Sequence, residues 1–285
     1  MKNILAIALR CLFRFKFFKS KFYFIHNKLI LPNNLFGGVI RKIRYNDLQI
    51  ELHIDDWIQE NLYFLGEYEV AELKTMKQFL TYDSVFIDIG ANIGLYALNA
   101  SKILDENAQI ICFEPFQKNF NSLAKNIALN GLSNVQLEKK AIGDKDGTIN
   151  LYYNEEEMNL GMVSTKPLEK GITEKVTLVS LDSYLKDHPV PRIDLIKIDI
   201  EGFEYSALLG MKNTLTAFQP SILIEILDGN DSDSQNLKCY EFLLDLGYNK
   251  YFIDDHGNLS EKEVNPSRMN YVFTTKRFAN IKKGD

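Results

Sequence analysis

Cysteine is scarce: Cys11, Cys112 and Cys239 are the only three in 285 residues. They form neither a C-x-x-C pair nor an even framework, which excludes a disulfide-stapled domain and fits a reducing compartment. Long apolar runs are missing as well. Between Met1 and Asp47 the longest stretch without charge, Leu29 to Ile40, is interrupted by Pro32 and two asparagines, whereas a spanning helix needs roughly 20 apolar residues. The first apolar run, Ile4 to Leu9, is too short for the core of a secretory signal and is followed by no small-residue cleavage site. The expectation is a cytoplasmic chain with neither an export signal nor a transmembrane segment. Tandem repeats and low-complexity tracts are also absent.

Acidic residues are missing from one region. Residues 1–46 carry ten Lys or Arg and no Asp or Glu, so the net charge of -5 divides into +10 there and -15 in the remainder. From Ile4 to Phe22, Ile4, Ile7, Ala8, Cys11, Phe15, Phe18 and Phe22 recur at spacings of three and four, which predicts one helical stripe with Arg10, Arg14, Lys16 and Lys21 off it. Such a basic, aromatic helix over residues 1–24 suits peripheral contact with the inner face of an anionic membrane. It equally suits packing on the body of the protein, or a dimer contact. The acidic body repels phosphates, which argues against nucleic acid as a partner.

Residues 1–82 read as this helix plus a small cap: R-K-I-R-Y and Q-I-E-L-H-I alternate as a hairpin, ahead of a helix from about Glu67 to Leu80. Residues 83–285 read as repeated βα units. Seven strands are expected in order: V-F-I-D-I, Q-I-I-C-F-E, V-Q-L-E-K, D-L-I-K-I-D-I, I-L-I-E-I, K-Y-F-I and Y-V-F-T-T. Helices should start near Leu95, Gln117, Phe203 and Gln235, and an inserted hairpin or loop should occupy about residues 148–184. The fold class is α/β, a Rossmann-like sheet with helices on both faces.

Chemistry concentrates in three places. Val85 to Gly94, V-F-I-D-I-G-A-N-I-G, runs a buried strand into a turn where Gly90 and Gly94 bracket Asn92. Glycine there lets backbone approach a nucleotide-like ligand, and the next helix presents unpaired N–H groups. The dinucleotide fingerprint needs G-x-G-x-x-G, and Asn92 breaks it, which weakens the reading as an NAD-dependent oxidoreductase. Second, Ile110 to Pro115 puts Glu114 at the end of the next strand, where a carboxylate accepts from ribose hydroxyls. Third, in D-L-I-K-I-D-I-E-G from Asp194, strand alternation sends Lys197, Asp199 and Glu201 to one face. Asp199 is the first candidate base and Glu201 the second. The competing reading is structural, with Lys197 pairing one of the acids inside the sheet and Glu201 capping the helix after Gly202. Either acid could instead steady a cationic ligand, and the spacing demands no metal. His53, His188 and His256 fall outside the expected strand ends.

D-I-G-A-N-I-G, Glu114-Pro115, A-I-G-D-K-D-G from Ala141, L-D-S-Y-L from Leu181 and K-I-D-I-E-G-F-E from Lys197 together resemble the FkbM methyltransferase family over about residues 67–227. The resemblance implies a class I methyltransferase sheet of seven strands with the last antiparallel, S-adenosyl-L-methionine as cofactor, and transfer of a methyl group to a hydroxyl of a sugar, glycan or glycolipid. It places Asp88, Gly90, Ala91, Asn92 and Gly94 around the methionine end of the cofactor, Glu114 on the ribose, and Ala141 and Ile142 near the adenine. A non-catalytic, membrane-associated adaptor with the same fold is the rival from another class; the intact glycine turn and acids argue against it.

Overall fold

The computed structural model describes residues 2–153, 172–226, 235–266 and 268–276. They divide into two compact units, one running to Glu69 and including Tyr153 and Ile172, the other beginning at Val70 and holding the rest. In the first, strands β1 (Ile40–Tyr45) and β2 (Leu48–His53) pair antiparallel with Ile43 opposite Ile50. Asn46 and Asp47 join them at positive φ, 47° and 68°, the two-residue turn that matches strand twist. The expected hairpin is therefore present. A helix the sequence reading missed follows at Trp57–Phe64, where the side chain of capping Asp56 accepts from the Gln59 amide.

The N-terminal stripe is corrected. Rather than one helix, the segment forms Lys2–Leu12, Lys16–Lys19, Phe22–Ile25 and a π-helical turn at His26–Ile30. Phe15 is extended at the first break. The break turns Phe13, which lies off the stripe, inward against Phe22 and Phe64, with ring centroids at 5.1 and 5.6 Å. Of the seven stripe residues, only Phe22 is buried.

The second unit opens with helix Val70–Lys77, inside the span expected for it. Its sheet contains β3 (Val85–Ile89), β4 (Gln109–Phe113), β5 (Val135–Glu138), β9 (Leu195–Ile198), β10 (Ser221–Glu225), β11 (Asn249–Ile253), β12 (Leu259–Ser260) and β13 (Asn270–Thr274). The order is β12-β11-β13-β10-β9-β3-β4-β5, with β13 antiparallel to both neighbours. All seven expected strands are present and the last is antiparallel. The eighth, two-residue β12 edges β11 and is too short to leave a period in the sequence. A second sheet of β6 (Ala141–Ile142), β7 (Gly147–Tyr153) and β8 (Ile172–Val179) forms where the insertion was expected, with β8 in the middle. The intervening residues, including the stretch 155–170 read as part of the acceptor pocket, lie outside the described residues.

Alternation decides what each face of the large sheet carries. Ile87, Ile89, Ile111, Phe113, Ile196, Ile198, Ile222 and Ile224 form one apolar face, covered by residues of helices Leu181–Asp187, Glu204–Leu209, Lys212–Phe218 and Gln235–Asp245. The intervening positions Asp88, Cys112 and Lys197 face the other way. On that side lies helix Leu95–Ala100, which packs on β3 and β4. The fold is α/β with helices on both faces.

Two of the quoted motifs turn out to be clamps. Asp146 accepts from the Ser180 amide and from the Ser183 hydroxyl, and Asp182 accepts from the amides of Asn213 and Thr214. Gly210 lies against the Gly143 carbonyl so closely that a Cβ would come within 1.8 Å of its oxygen.

Candidate active site

Parallel pairing of β3 with its neighbours aligns Asp88 with Cys112 on β4 and Lys197 on β9. Asp88 is fully buried, and neither of its carboxylate oxygens has a hydrogen-bond partner among the described residues. Burial pushes its pKa up to about 6, helped by the charge of Asp199 and opposed by Lys197. A buried carboxylate without hydrogen bonds is costly, so it marks a place where a complementary group is needed.

Beyond Asp88 the chain turns sharply, with φ of 81° at Gly90, 50° at Asn92 and 91° at Gly94. The amides of Gly90 and Ala91 both donate to the Phe113 carbonyl, at 2.9 and 3.0 Å, and the Asp199 amide donates to Ile89. The turn is thereby pinned between the tips of β4 and β9. Gly90 cannot be anything larger, because a Cβ would come within 1.9 Å of the Asp199 carbonyl oxygen.

Glu114 stands just past β4, accepting from the Asn92 amide at 2.8 Å and from the Phe116 amide at 3.0 Å. Burial raises its pKa to about 8 against the pull of those two amides. Two backbone donors leave the carboxyl group with further acceptor capacity. Ala141 and Ile142 form buried β6 and pair with Leu178 and Val179.

Lys197 is buried and donates to Asp199 at 2.9 Å, with its ammonium 4.6 Å from the Tyr96 ring centroid. Burial alone would raise the Asp199 pKa, but the Lys197 charge and hydrogen bond, with a further bond to Glu225, hold it below the usual range. The structural reading of the Lys197–Asp199 pair is thus present in the fold. Glu201 arrives differently from expectation: β9 ends at Ile198, and Glu201 reaches the tip through a turn at φ 55°, followed by Gly202 at 94°. It does not cap the next helix; the Glu204 side chain accepts from the Ile200 and Gly202 amides there. Glu201 is exposed, and desolvation by its surroundings, then the charges of Asp199 and Glu204, push its pKa up to about 7.

Glu225, at the end of β10, was missed. Ile224 pairs with Ile198, so the next residues, Glu225 and Asp199, end adjacent strands together. Asp199, Glu201 and Glu225 each offer an oxygen within 4.8 Å of the others, a set able to hold a cation that no spacing within one segment reveals. The strand I-L-I-E-I, ending in an acid beside K-I-D, was the available signal. The histidines are elsewhere: His188 stacks on Tyr184 at 4.3 Å and His256 sits in a turn capped by Asp254, while His53 belongs to the first unit.

Removing Lys197 should be expensive. Lys197→Met leaves Asp199 and Asp88 facing each other without their shared cation, and breaking a buried pair in this way costs about 3–5 kcal/mol. Thermal denaturation should register a large drop in Tm, partly regained in Lys197→Met/Asp199→Asn. A single variant melting with the parent would show that the pair is not a stabilising element.

Residues 88–250, more than half of the chain, match the family model described as the methyltransferase FkbM domain. The chain belongs to the FkbM methyltransferase family. Among curated relatives of this FkbM-family chain, Methyltransferase 1 of Beauveria bassiana is 26% identical over 164 residues, covering 51% of this chain and 66% of its own length. The hexuronic acid methyltransferase AglP of Haloferax volcanii is 26% identical over 166 residues, covering 58% and 64%. The match therefore spans just under two thirds of each of these two relatives. A solved methyltransferase FkbM from Methylobacillus flagellatus is 15% identical, with 75% of this chain and 52% of that chain covered at a TM-score of 0.47.

Proposed function

We propose that this chain is an S-adenosylmethionine-dependent O-methyltransferase acting on a hydroxyl of a sugar, glycan or glycolipid unit. The observation that carries the reading is Asp88, a sealed carboxylate without a hydrogen-bond partner among the described residues, next to a glycine turn that presents backbone. A cationic ligand with a nucleoside body fits both features. When bound, S-adenosylmethionine supplies an electrophilic methyl group on a sulfonium. Asp88 balances positive charge at the methionine end, the Gly90–Gly94 turn admits the ligand backbone-first, and Glu114 accepts from the ribose while remaining anchored to the Asn92 amide. Ala141 and Ile142 offer an apolar edge for the adenine.

Toward the acceptor, the division of labour favours Glu201 over Asp199. A general base works best with a pKa near the operating pH. Glu201 stands at about 7, whereas Asp199 is held low by Lys197 and is the poorer proton acceptor. Asp199 then fixes Lys197 and steadies the tip of β9. A sugar-type acceptor is supported by family membership and by the relative named for hexuronic acid.

Calorimetry with S-adenosylmethionine and with NAD tests the cofactor, and mass spectrometry of sugar nucleotides and lipid-linked glycans after incubation tests the acceptor through a gain of one methyl. Binding of NAD alone would end the reading. Asp88→Asn should weaken S-adenosylmethionine binding by about tenfold or more, in line with the loss of a buried charge-assisted contact, without lowering the Tm of the ligand-free protein. The pH dependence has a defined sign. The folded pKa of Asp88, about 6, lies above its ordinary value of 3.8, so its contribution to stability is complete below about pH 4 and is lost as pH rises through about 6. A bound cation offsets that loss, so the cofactor-induced rise in Tm should be larger near pH 7 than near pH 5. The difference should vanish in Asp88→Asn, and a pH-independent shift in the parent would refute the role.

A further inference from the structure

The N-terminal segment exposes what a soluble surface normally hides. On helix Lys2–Leu12, Ala6 faces inward, while Ile4, Ile7, Ala8 and Cys11, spaced as one helical face, are exposed. Ile4 on the helix is 74% exposed, and beyond the helix the trend continues with Phe15 at 65%, Phe17 at 68%, Tyr23 at 69% and Phe24 at 63%. Scattered single apolar residues on a surface need no explanation; seven large ones within twenty-one positions, with Leu5 and Ile7 included, are a concentration that does.

The segment is nevertheless built into its unit. Lys2 donates to the carbonyls of Asn34 and Gly37, Arg10 lies over the Tyr63 ring at 4.8 Å, and Lys19 pairs with Glu67 at 2.6 Å. Phe13, Phe22 and Ile30 anchor it from the inner side. The exposed aromatics are therefore displayed by anchored backbone.

Charge identifies what the patch meets. Lys16 and Lys21 are exposed between those aromatics and Arg14 and Lys28 flank them, in a stretch of 46 residues that contains no acid. A protein partner or a second copy of this chain, whose remainder carries -15, could supply negative charge, but neither calls for so many aromatic rings interleaved with cations. An anionic bilayer surface answers both at once, since rings enter the acyl boundary while the cations stay among the headgroups. No helix among the described residues is long and apolar enough to cross a membrane. We propose that residues 2–31 form a peripheral docking surface for anionic phospholipid membranes, lying in the interface plane.

Flotation of the full chain with vesicles of phosphatidylglycerol and phosphatidylcholine, against phosphatidylcholine alone, tests this. Binding should be strong on the anionic vesicles at about 50 mM salt, weak on neutral ones, and much reduced at about 500 mM, where the screening length is only a few ångström. Each of Arg14→Gln, Lys16→Gln and Lys21→Gln should lower the partition coefficient about fivefold. Phe15→Ser and Phe17→Ser should lower it further while leaving Tm unchanged. Equal binding to neutral and anionic vesicles, or no binding to either, overturns the proposal. So does a concentration-dependent dimer in analytical ultracentrifugation that Phe17→Ser dissolves while vesicle binding persists.

Discussion

Gly90→Ala is expected to abolish measurable cofactor binding and to lower Tm by roughly 4–20 °C. The added methyl would sit 1.9 Å from the Asp199 carbonyl oxygen and 3.0 Å from its carbon, and both are backbone atoms that no rotamer change can move. The φ of 81° adds its own strain for any residue with a Cβ. Overpacking of this kind costs about 1–3 kcal/mol and the left-handed backbone about 1–2 more, which for a chain of this size converts at about 2–4 °C per kcal/mol. The functional loss should exceed the loss of stability. To relieve the clash either the turn beyond Asp88 or the tip of β9 must shift, and a displacement of about 1 Å at a reacting site costs on the order of a hundredfold. Gly202→Ala is the control: φ there is 94° but nothing lies within 4 Å of the added Cβ. It should cost backbone strain alone and keep cofactor affinity. Equal cofactor binding by Gly90→Ala and the parent in calorimetry would mean that the turn does not border the ligand.

The difference between those two glycines shows what a sequence can carry. D-I-G-A-N-I-G announced a turn because a strand-type run stops at residues suited to positive φ, and that signal is local. Why Gly90 is irreplaceable depends on Asp199, just past the end of β9, a strand that is distant in sequence and adjacent only after the sheet has formed. The same reasoning separates the acids. Lys197 and Asp199 were legible as neighbours because alternation puts them on one face, and their pairing was among the readings the residues allowed. Glu225 was invisible to spacing, since it joins the cluster through the β9–β10 register. Glu201 follows a turn, not the continued strand that alternation assumed. At the N-terminus, spacings of three and four found a real face on helix Lys2–Leu12 but not its surroundings. The helix breaks around Phe15 and buries Phe13, so the apolar stripe points mostly outward. Periodicity fixes which residues share a face; only tertiary packing decides what that face meets.

Glu201→Gln should reduce kcat by about a hundredfold to ten-thousandfold, the span typical of removing a general base, with S-adenosylmethionine affinity nearly unchanged. The pH profile gives the sharper distinction. A base must be deprotonated to accept, so with a pKa of about 7 the parent's kcat should climb through neutrality and level off above it. In Glu201→Gln the acid limb should disappear along with the rate. Asp199→Asn provides the counter-case. The Asp199 charge is one of the causes that raise Glu201, so neutralising it should move the acid limb to lower pH, while the loss of the Lys197 partner lowers Tm. A base at Asp199 would give the reverse pattern, with the limb lost in Asp199→Asn and retained in Glu201→Gln. If both variants keep full turnover with unaltered profiles, neither acid takes the proton. Isolating one acid at about 7 beside another held low by a buried lysine is how neighbouring carboxylates acquire separate tasks. The turn at Glu201 and Gly202 carries the second acid past the end of the strand, while Lys197 donates to Asp199.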